Sequence, residues 1–151
     1  MDLILWRHAE AADGLPDIKR ELTRKGLKQA RDMAAWLQPR LPGPVSVIAS
    51  PAERTLQTAG AFAHDFVVNG SVAPGAPAQA VLDAAGWPDA PGPVILVGHQ
   101  PTLGEAAAML LTGKPLPWSI KKGAIWWFKR RMRDGHARVV LRAVMSPEFL
   151  R

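Results

Sequence analysis

The sequence predicts an α/β fold: a three-layer α/β/α sandwich on a mainly parallel sheet, closed by a C-terminal antiparallel hairpin. Three observations carry this. Short, continuous apolar runs at residues 3–6 and 94–97 suit strands buried on both faces, and Val45-Ser46-Val47-Ile48-Ala49 reads as a further strand. Segments with apolar residues at helical spacing follow each of them. Two β-rich runs flanking Asp134-Gly135 then form a hairpin signal. Strands alternating with helices imply a parallel sheet covered on its faces.

Each element has its own justification. Leu3-Ile4-Leu5-Trp6 is the first strand. The polar stretch from Arg7 to Glu21 cannot stay helical through Gly14 and Pro16. Thr23 then reads as the N-cap of a helix over Arg24 to Gln38, with Leu27, Ala30, Met33, Ala34 and Leu37 on one face. Pro39, Pro42, Gly43 and Pro44 end it, and Val45 to Ala49 is the second strand. Ser50-Pro51 suggests a capping hydroxyl before a proline at the first helical position, for a helix from Ala52 to about His64. Residues 65–93 show a turn at Ala73–Pro77, a short helix over Ala78–Ala85 and a loop over Pro88–Pro93. Val94 to Val97 is the third strand, Gly98 to Thr102 a tight turn, and a helix runs from about Leu103 to Leu111. The hairpin strands are expected over Ala124–Phe128 and Arg138–Arg142.

Composition bounds the function. A chain of 151 residues fits one domain over residues 1–151, and 48% hydrophobic with 21% charged residues is globular composition. The lack of cysteine excludes disulfides, iron–sulfur clusters, thiolate zinc sites and a cysteine nucleophile. No apolar run approaches the ~18 residues of a membrane span, and the N-terminus lacks the basic start of a secretory signal. A cytoplasmic protein without membrane association is therefore expected. Its net charge of +6 is concentrated late: residues 114–151 hold 10 basic and 2 acidic side chains, against 9 and 11 in residues 1–113. This bias reads either as a nucleic-acid patch or as an edge hairpin whose Lys and Arg discourage strand pairing. With no nucleic-acid-binding motif present, the hairpin reading is preferred and no nucleic-acid partner is expected.

Open α/β sheets bind ligands outside the carboxyl ends of their strands. Arg7, His8 and Glu10 follow the first strand. Ser50 and, one helical turn on, Arg54 follow the second, and His99 follows the third. Two histidines and two arginines at three strand ends describe a pocket for a tetrahedral oxyanion, because guanidinium forks and helix N-termini both donate to phosphate. Each residue alone has a plainer role as a turn or surface side chain. Their coincidence is what points to chemistry. A metal site built from His8, His99 and Glu10 is the alternative, opposed by two adjacent fixed cations.

These residues lie in segments that resemble a known family. Leu5-Trp6-Arg7-His8-Ala9-Glu10 is similar to the signature of the histidine phosphatase superfamily, which has the phosphoglycerate-mutase-like fold. Ala9 stands where its usual triplet has glycine. Ser50-Pro51-Ala52-Glu53-Arg54-Thr55-Leu56-Gln57-Thr58-Ala59 resembles its second motif, and Val97-Gly98-His99-Gln100-Pro101 its third. The short length, Leu22-Thr23-Arg24-Lys25-Gly26 and Met145-Ser146-Pro147 are similar to the small SixA-type phosphohistidine phosphatases. The resemblance implies that His8 is the nucleophile and that Arg7, Arg54 and His99 hold the phosphoryl oxygens, with Arg20 a further substrate-binding candidate.

It also implies a metal-independent phosphatase without cofactors that dephosphorylates protein phosphohistidine. The alternatives are a phosphatase of small phosphate esters and a non-catalytic phospho-ligand-binding module. Larger relatives carry an acid between the second and third motifs, and no counterpart stands among Asp65, Asp83 and Asp89. Imidazole, with a reference pKa of about 6.5, leaves phosphorus with far less help than an alkoxide. Glu10 and Asp17 are the candidate proton carriers. Glu10 could equally orient Arg7 or cap a turn. Lys121 and Lys122 are placed to steer an acidic phosphoprotein, or else form a solvated edge.

Overall fold

A computed structural model describes residues 1–150. Strands β1 (Asp2–Arg7), β2 (Ser46–Ala49), β3 (Val67–Val68), β4 (Val94–Gly98), β5 (Ile125–Arg133) and β6 (His136–Met145) form one sheet in the order β3-β2-β4-β1-β5-β6. β1 to β4 pair in parallel, whereas β5 runs antiparallel to β1 and β6 antiparallel to β5. The mainly parallel sheet with its terminal hairpin is the architecture the sequence predicts.

Alternation along β1 shows why its apolar run is continuous. Ile4 and Trp6 point into a core with Met33 and Leu37 of helix α1 (Arg24–Leu37) and Ala59 of α2 (Glu53–Phe62). Leu3 and Leu5 point the other way, against Leu82 of α3 (Ala78–Ala84) and Leu103 of α4 (Thr102–Thr112). All four β1 side chains are wholly buried, so each face contributes hydrophobic stabilisation of roughly 1.5–3 kcal/mol per large side chain. Helices on both faces give the three layers.

The structure corrects several local expectations. Thr23 does cap α1, accepting from the Gly26 amide at 3.0 Å, but Leu27 is partly exposed and Gly26 takes its place on the buried face. A Cβ at Gly26 would collide with the Glu10 carbonyl, so only glycine lets α1 lie against the segment leaving β1. Ser50 is not the cap of α2: that helix starts at Glu53 behind Ala52, which offers no side-chain cap. The two-residue strand β3, paired with Ile48 and Ala49, is too short and too exposed to leave a periodic signal. The hairpin strands are longer than predicted, because Lys129 to Arg133 continue the ladder beyond the apolar core. Asp134 and Gly135 both have positive φ (52° and 77°), the conformation of a tight hairpin turn. β6 forms the sheet edge and carries Arg138 and Arg142, which suits the solvated-edge reading of that charge.

Because β2, β4 and β1 are adjacent and parallel, their carboxyl ends share one edge. Register sets the details: Arg7 lies opposite Gly98, and Ala49 opposite Val97. The ladder runs on past the strands, with the His8 amide donating to the Gly98 carbonyl and the Ser50 amide to the Val97 carbonyl, both at 3.1 Å. His8, Ser50 and His99 are thereby fixed side by side.

Candidate active site

Each side chain at this edge is held by an element that the local sequence dictates. His8 follows β1 directly. Its Nδ1 lies 2.8 Å from the Ala9 carbonyl, and since a carbonyl can only accept, Nδ1 carries the proton. The lone pair of the neutral ring is then on Nε2, which has no hydrogen-bond partner and is not among the fully buried atoms of the site. Ala9 is buried and its φ is not positive, so the missing glycine of the triplet costs the backbone nothing. Its amide donates to the Thr58 hydroxyl of α2 at 3.2 Å.

His99 sits on the β4–α4 turn, its ring 5.4 Å from that of His8. Its Nε2 pairs with the Ser50 hydroxyl at 2.7 Å, and Ser50 Oγ also accepts from the Ala52 amide at 3.3 Å. Ser50, expected to cap a helix, instead orients a histidine across the sheet edge. Its position at a strand's carboxyl end, shared with Arg7 and His99, was the signal available in the sequence. Gln100 secures the turn by accepting from the Gly104 amide at 2.7 Å and donating to the Trp118 carbonyl at 3.0 Å.

The two arginines approach from different sides. Arg7 donates through Nη1 to the Ile120 carbonyl at 2.9 Å. Arg54, only 4% exposed, projects from the first turn of α2. Asp17 engages it twice, at its carbonyl (Nη1, 2.8 Å) and at its carboxylate (Nη2, 3.0 Å). The same carboxylate accepts from Arg20 at 3.0 Å, and Arg20 Nε donates to the Ala12 carbonyl. Arg20 and Arg54 hold Asp17 below the usual carboxylate range.

Glu10 does not join them. Its carboxylate accepts from the Thr23 hydroxyl at 2.7 Å, which ties it to the N-terminus of α1. Of the sequence-predicted residues, Arg7, His8, Arg54, His99, Asp17 and Arg20 thus come to one strand-end cluster. Among the described residues, no three His, Asp or Glu side chains gather in a metal-ligating group.

Electrostatics sets the protonation states. Burial pushes the His8 pKa down to about 4; the Ala9 hydrogen bond opposes it in part, and Arg54, Arg7 and Arg20 each add a smaller downward push. Burial, Arg54 and His8 push that of His99 down to about 3, partly offset by Asp17. Both rings are neutral at pH 7. Three buried nitrogens in this cluster have no partner among the described residues: Arg7 Nε, Arg54 Nε and His99 Nδ1. Buried polar atoms are nearly always satisfied, and two guanidinium N–H groups call for an acceptor, best an anionic one.

An α/β protein with cationic donors and a neutral histidine at the carboxyl edge of its parallel strands belongs to the class that handles phosphoryl groups there. Comparison with known proteins makes this specific. Residues 3–73 match the model of the histidine phosphatase superfamily (branch 1), and the chain belongs to that superfamily. An uncharacterized protein of Picosynechococcus sp. is 34% identical over 92% of this chain and 88% of its own. SixA of Agrobacterium tumefaciens, a candidate phosphohistidine phosphatase, superposes with a TM-score of 0.78 at 25% identity over 97% of both chains. The protein histidine phosphatase SixA complexed with tungstate superposes with a TM-score of 0.76 at 25% identity over 99% of both. The fold is phosphoglycerate-mutase-like, and these findings support phosphatase activity.

Proposed function

We propose that this protein is a phosphohistidine phosphatase in which His8 is the nucleophile. The observation that carries this is the His8 imidazole itself: neutral, with its proton on Nδ1 and its free lone pair on the accessible Nε2, beside unpartnered arginine donors. A tetrahedral phosphoryl group placed before Nε2 accepts from Arg7 Nε and Arg54 Nε. SixA complexed with tungstate, itself a tetrahedral oxyanion, shows that a close fold accommodates such a group.

The reaction runs as two displacements. Nε2 of His8 attacks phosphorus, the N–P bond forms and the bond to the leaving group breaks. Water then attacks phosphorus, the N–P bond breaks, phosphate departs and His8 returns to its neutral form. Splitting the transfer this way is covalent catalysis. The arginines oppose charge building on the equatorial oxygens, the contribution that metals make elsewhere. Ser50 O–H can donate a hydrogen bond to His99 Nε2 while its oxygen accepts from the Ala52 amide, and His99 Nδ1–H then donates to the phosphoryl group. Arg20 acts through Asp17 on Arg54 rather than on substrate.

The leaving group follows from the missing acid. Asp17 is held ionised by two arginines, and the Glu10 carboxylate is engaged by the hydroxyl of Thr23, the cap of α1. With neither placed to protonate a departing alkoxide, the site suits a phosphoramidate, whose imidazole leaves readily. The test is to incubate the protein briefly with a phosphohistidine protein, quench without acid and map the label. Label on His8, and loss of turnover in His8→Ala with retained binding of a phosphate analogue, are expected. Normal turnover by His8→Ala would overturn the proposal. Faster turnover of alkyl phosphates than of phosphohistidine would assign a small-ester substrate instead.

A further inference from the structure

A cleft of ≈ 630 Å³ begins at Arg7 and runs between α1 on one side and residues 121–122 and 146–150 on the other. His8, Arg54 and His99 do not line it, so Arg7 is the residue that joins it to the phosphoryl site. Its walls are fixed to the backbone of that site. The Gly123 amide donates to the His8 carbonyl at 2.9 Å, and Gln29 Oε1 accepts from the Glu10 amide at 3.0 Å. A Cβ on Gly123, whose φ is +74°, would lie 2.9 Å from Pro147 Cγ, so this position requires glycine.

The charge of the cleft is one-sided. Lys28 is neutralised by Asp32 at 2.7 Å, and Lys121 by Glu148 at 2.9 Å. Lys25 and Lys122 are exposed and have no ion-pair partner among the described residues. Moreover, α1 has Arg24 and Lys25 but no acid in its first turn, the reverse of what its dipole favours. Cations kept where they cost helix stability concentrate positive potential at the cleft mouth. Among the described residues no aromatic side chain lines the cleft, so it offers no aromatic platform for a nucleobase. The volume also far exceeds that of a phosphoryl group.

We propose that the cleft docks an acidic segment of the phosphorylated protein substrate, its carboxylates meeting Lys25 and Lys122 while the phosphorylated side chain enters past Arg7. This deepens the phosphatase reading and rests on it for the identity of the neighbouring site. Lys121, bound to Glu148, shapes the wall, and Lys25 replaces it as the partner of Lys122. Flanking carboxylates gain a long-range attraction that raises the association rate.

The test compares wild type with K25E/K122E, and with the milder K25Q/K122Q, on four substrates. These are an aryl phosphate, free phosphoserine, a phosphohistidine peptide with Asp and Glu flanks, and the same peptide with Ser and Gln flanks. Wild type should prefer the acidic peptide, and salt should erase the preference as the Debye length falls below about 10 Å. Charge reversal should lower kcat/KM for the acidic peptide by roughly tenfold, as expected for two exposed pairs, and leave the aryl phosphate unchanged. Equal losses on both peptides, or no wild-type preference, would overturn the proposal. So would a loss on phosphoserine as large as on the acidic peptide, because the cleft would then serve a small acid. If no substrate is turned over, the phosphatase reading fails by itself. The cleft is then judged by fluorescence anisotropy of a labelled unphosphorylated acidic peptide: salt-sensitive binding lost in K25E/K122E supports it, and no binding overturns it.

Discussion

Arg54 turns both arms of its guanidinium to Asp17, one to the carbonyl and one to the carboxylate, and keeps a buried Nε–H with no partner among the described residues. An arginine so held cannot swing. The direction of its Nε–H is set by a residue 37 positions earlier in the chain. Asp17 is thus a positioning residue, steadied in turn by Arg20.

Asp17→Asn keeps the carbonyl contact but loses the charge between the two arginines. A drop in kcat of roughly tenfold is expected, the effect of weakening one charged hydrogen bond by about 1.4 kcal/mol. KM for an aryl phosphate should change little if the loss falls on the transition state. Restored kcat in Asp17→Glu would confirm that the carboxylate acts by holding Arg54. An unchanged kcat in Asp17→Asn would show that the carbonyl alone suffices.

Arg54→Ala should lower kcat/KM by roughly a hundredfold or more, since a preorganised donor to a developing oxyanion is worth about 3 kcal/mol. It also removes a cation that depresses both histidines, so the acid limb of the pH–rate profile should move to higher pH. A loss below about tenfold, with the limb unmoved, would place Arg54 outside the reacting group.

Ser50→Ala removes the partner of His99 Nε2 and with it the control of the tautomer. The ring can then carry its proton on Nε2 and turn a bare Nδ1 towards the phosphoryl group. kcat should fall by roughly tenfold, with retention of the His8 phosphoryl-enzyme chemistry. Steady-state and single-turnover kinetics on one substrate check this, and wild-type rates in both would remove Ser50 from the mechanism.

The histidines also tie stability to pH. In the unfolded chain each titrates near 6.5, whereas folding holds His8 at about 4 and His99 at about 3. Between those values the unfolded state binds more protons, so stability rises with pH there and is lost as pH falls from about 6.5. Each histidine contributes up to about 1.4 kcal/mol per pH unit over its window. Melting temperatures recorded from pH 7 to 4 should fall more steeply in wild type than in a His8→Ala/His99→Ala variant. Parallel slopes would count against the depressed values.

The sequence was most legible where burial or a strand end constrains particular residues. Three apolar strands, the Thr23 cap and the Asp134-Gly135 turn each carry a local signal, and all occur. Arg7, His8, Arg54 and His99 were readable because strand ends in an open sheet converge. Partnerships made through tertiary structure were not. Ser50-Pro51 has the local form of a helix start, yet its hydroxyl serves His99, 49 positions away. Asp17 looked like a proton carrier because nothing in its neighbourhood announces Arg54. Leu27 fits the helical face by spacing, but the close approach of the Glu10 backbone selects Gly26 there. β3 was missed because two exposed valines are too few to show a period.

The strand order has a consequence for how the molecule comes into being. β4 lies between β2 and β1, although it is the last of the parallel strands along the chain. A growing polypeptide that has not yet reached residue 98 holds β1 and the β2–β3 pair with no strand between them, so the edges that β4 will fill stand open. Such edges invite association with other chains until the missing strand slots in. Insertion of β4 also delivers His99 and anchors His8 and Ser50 through the Gly98 and Val97 carbonyls. Insertion of β4 therefore assembles the strand-end cluster and closes the two edges that flank it in one step. A tetrahedral oxyanion present during refolding should then stabilise only the completed sheet, acting by mass action as a chemical chaperone for its own fold.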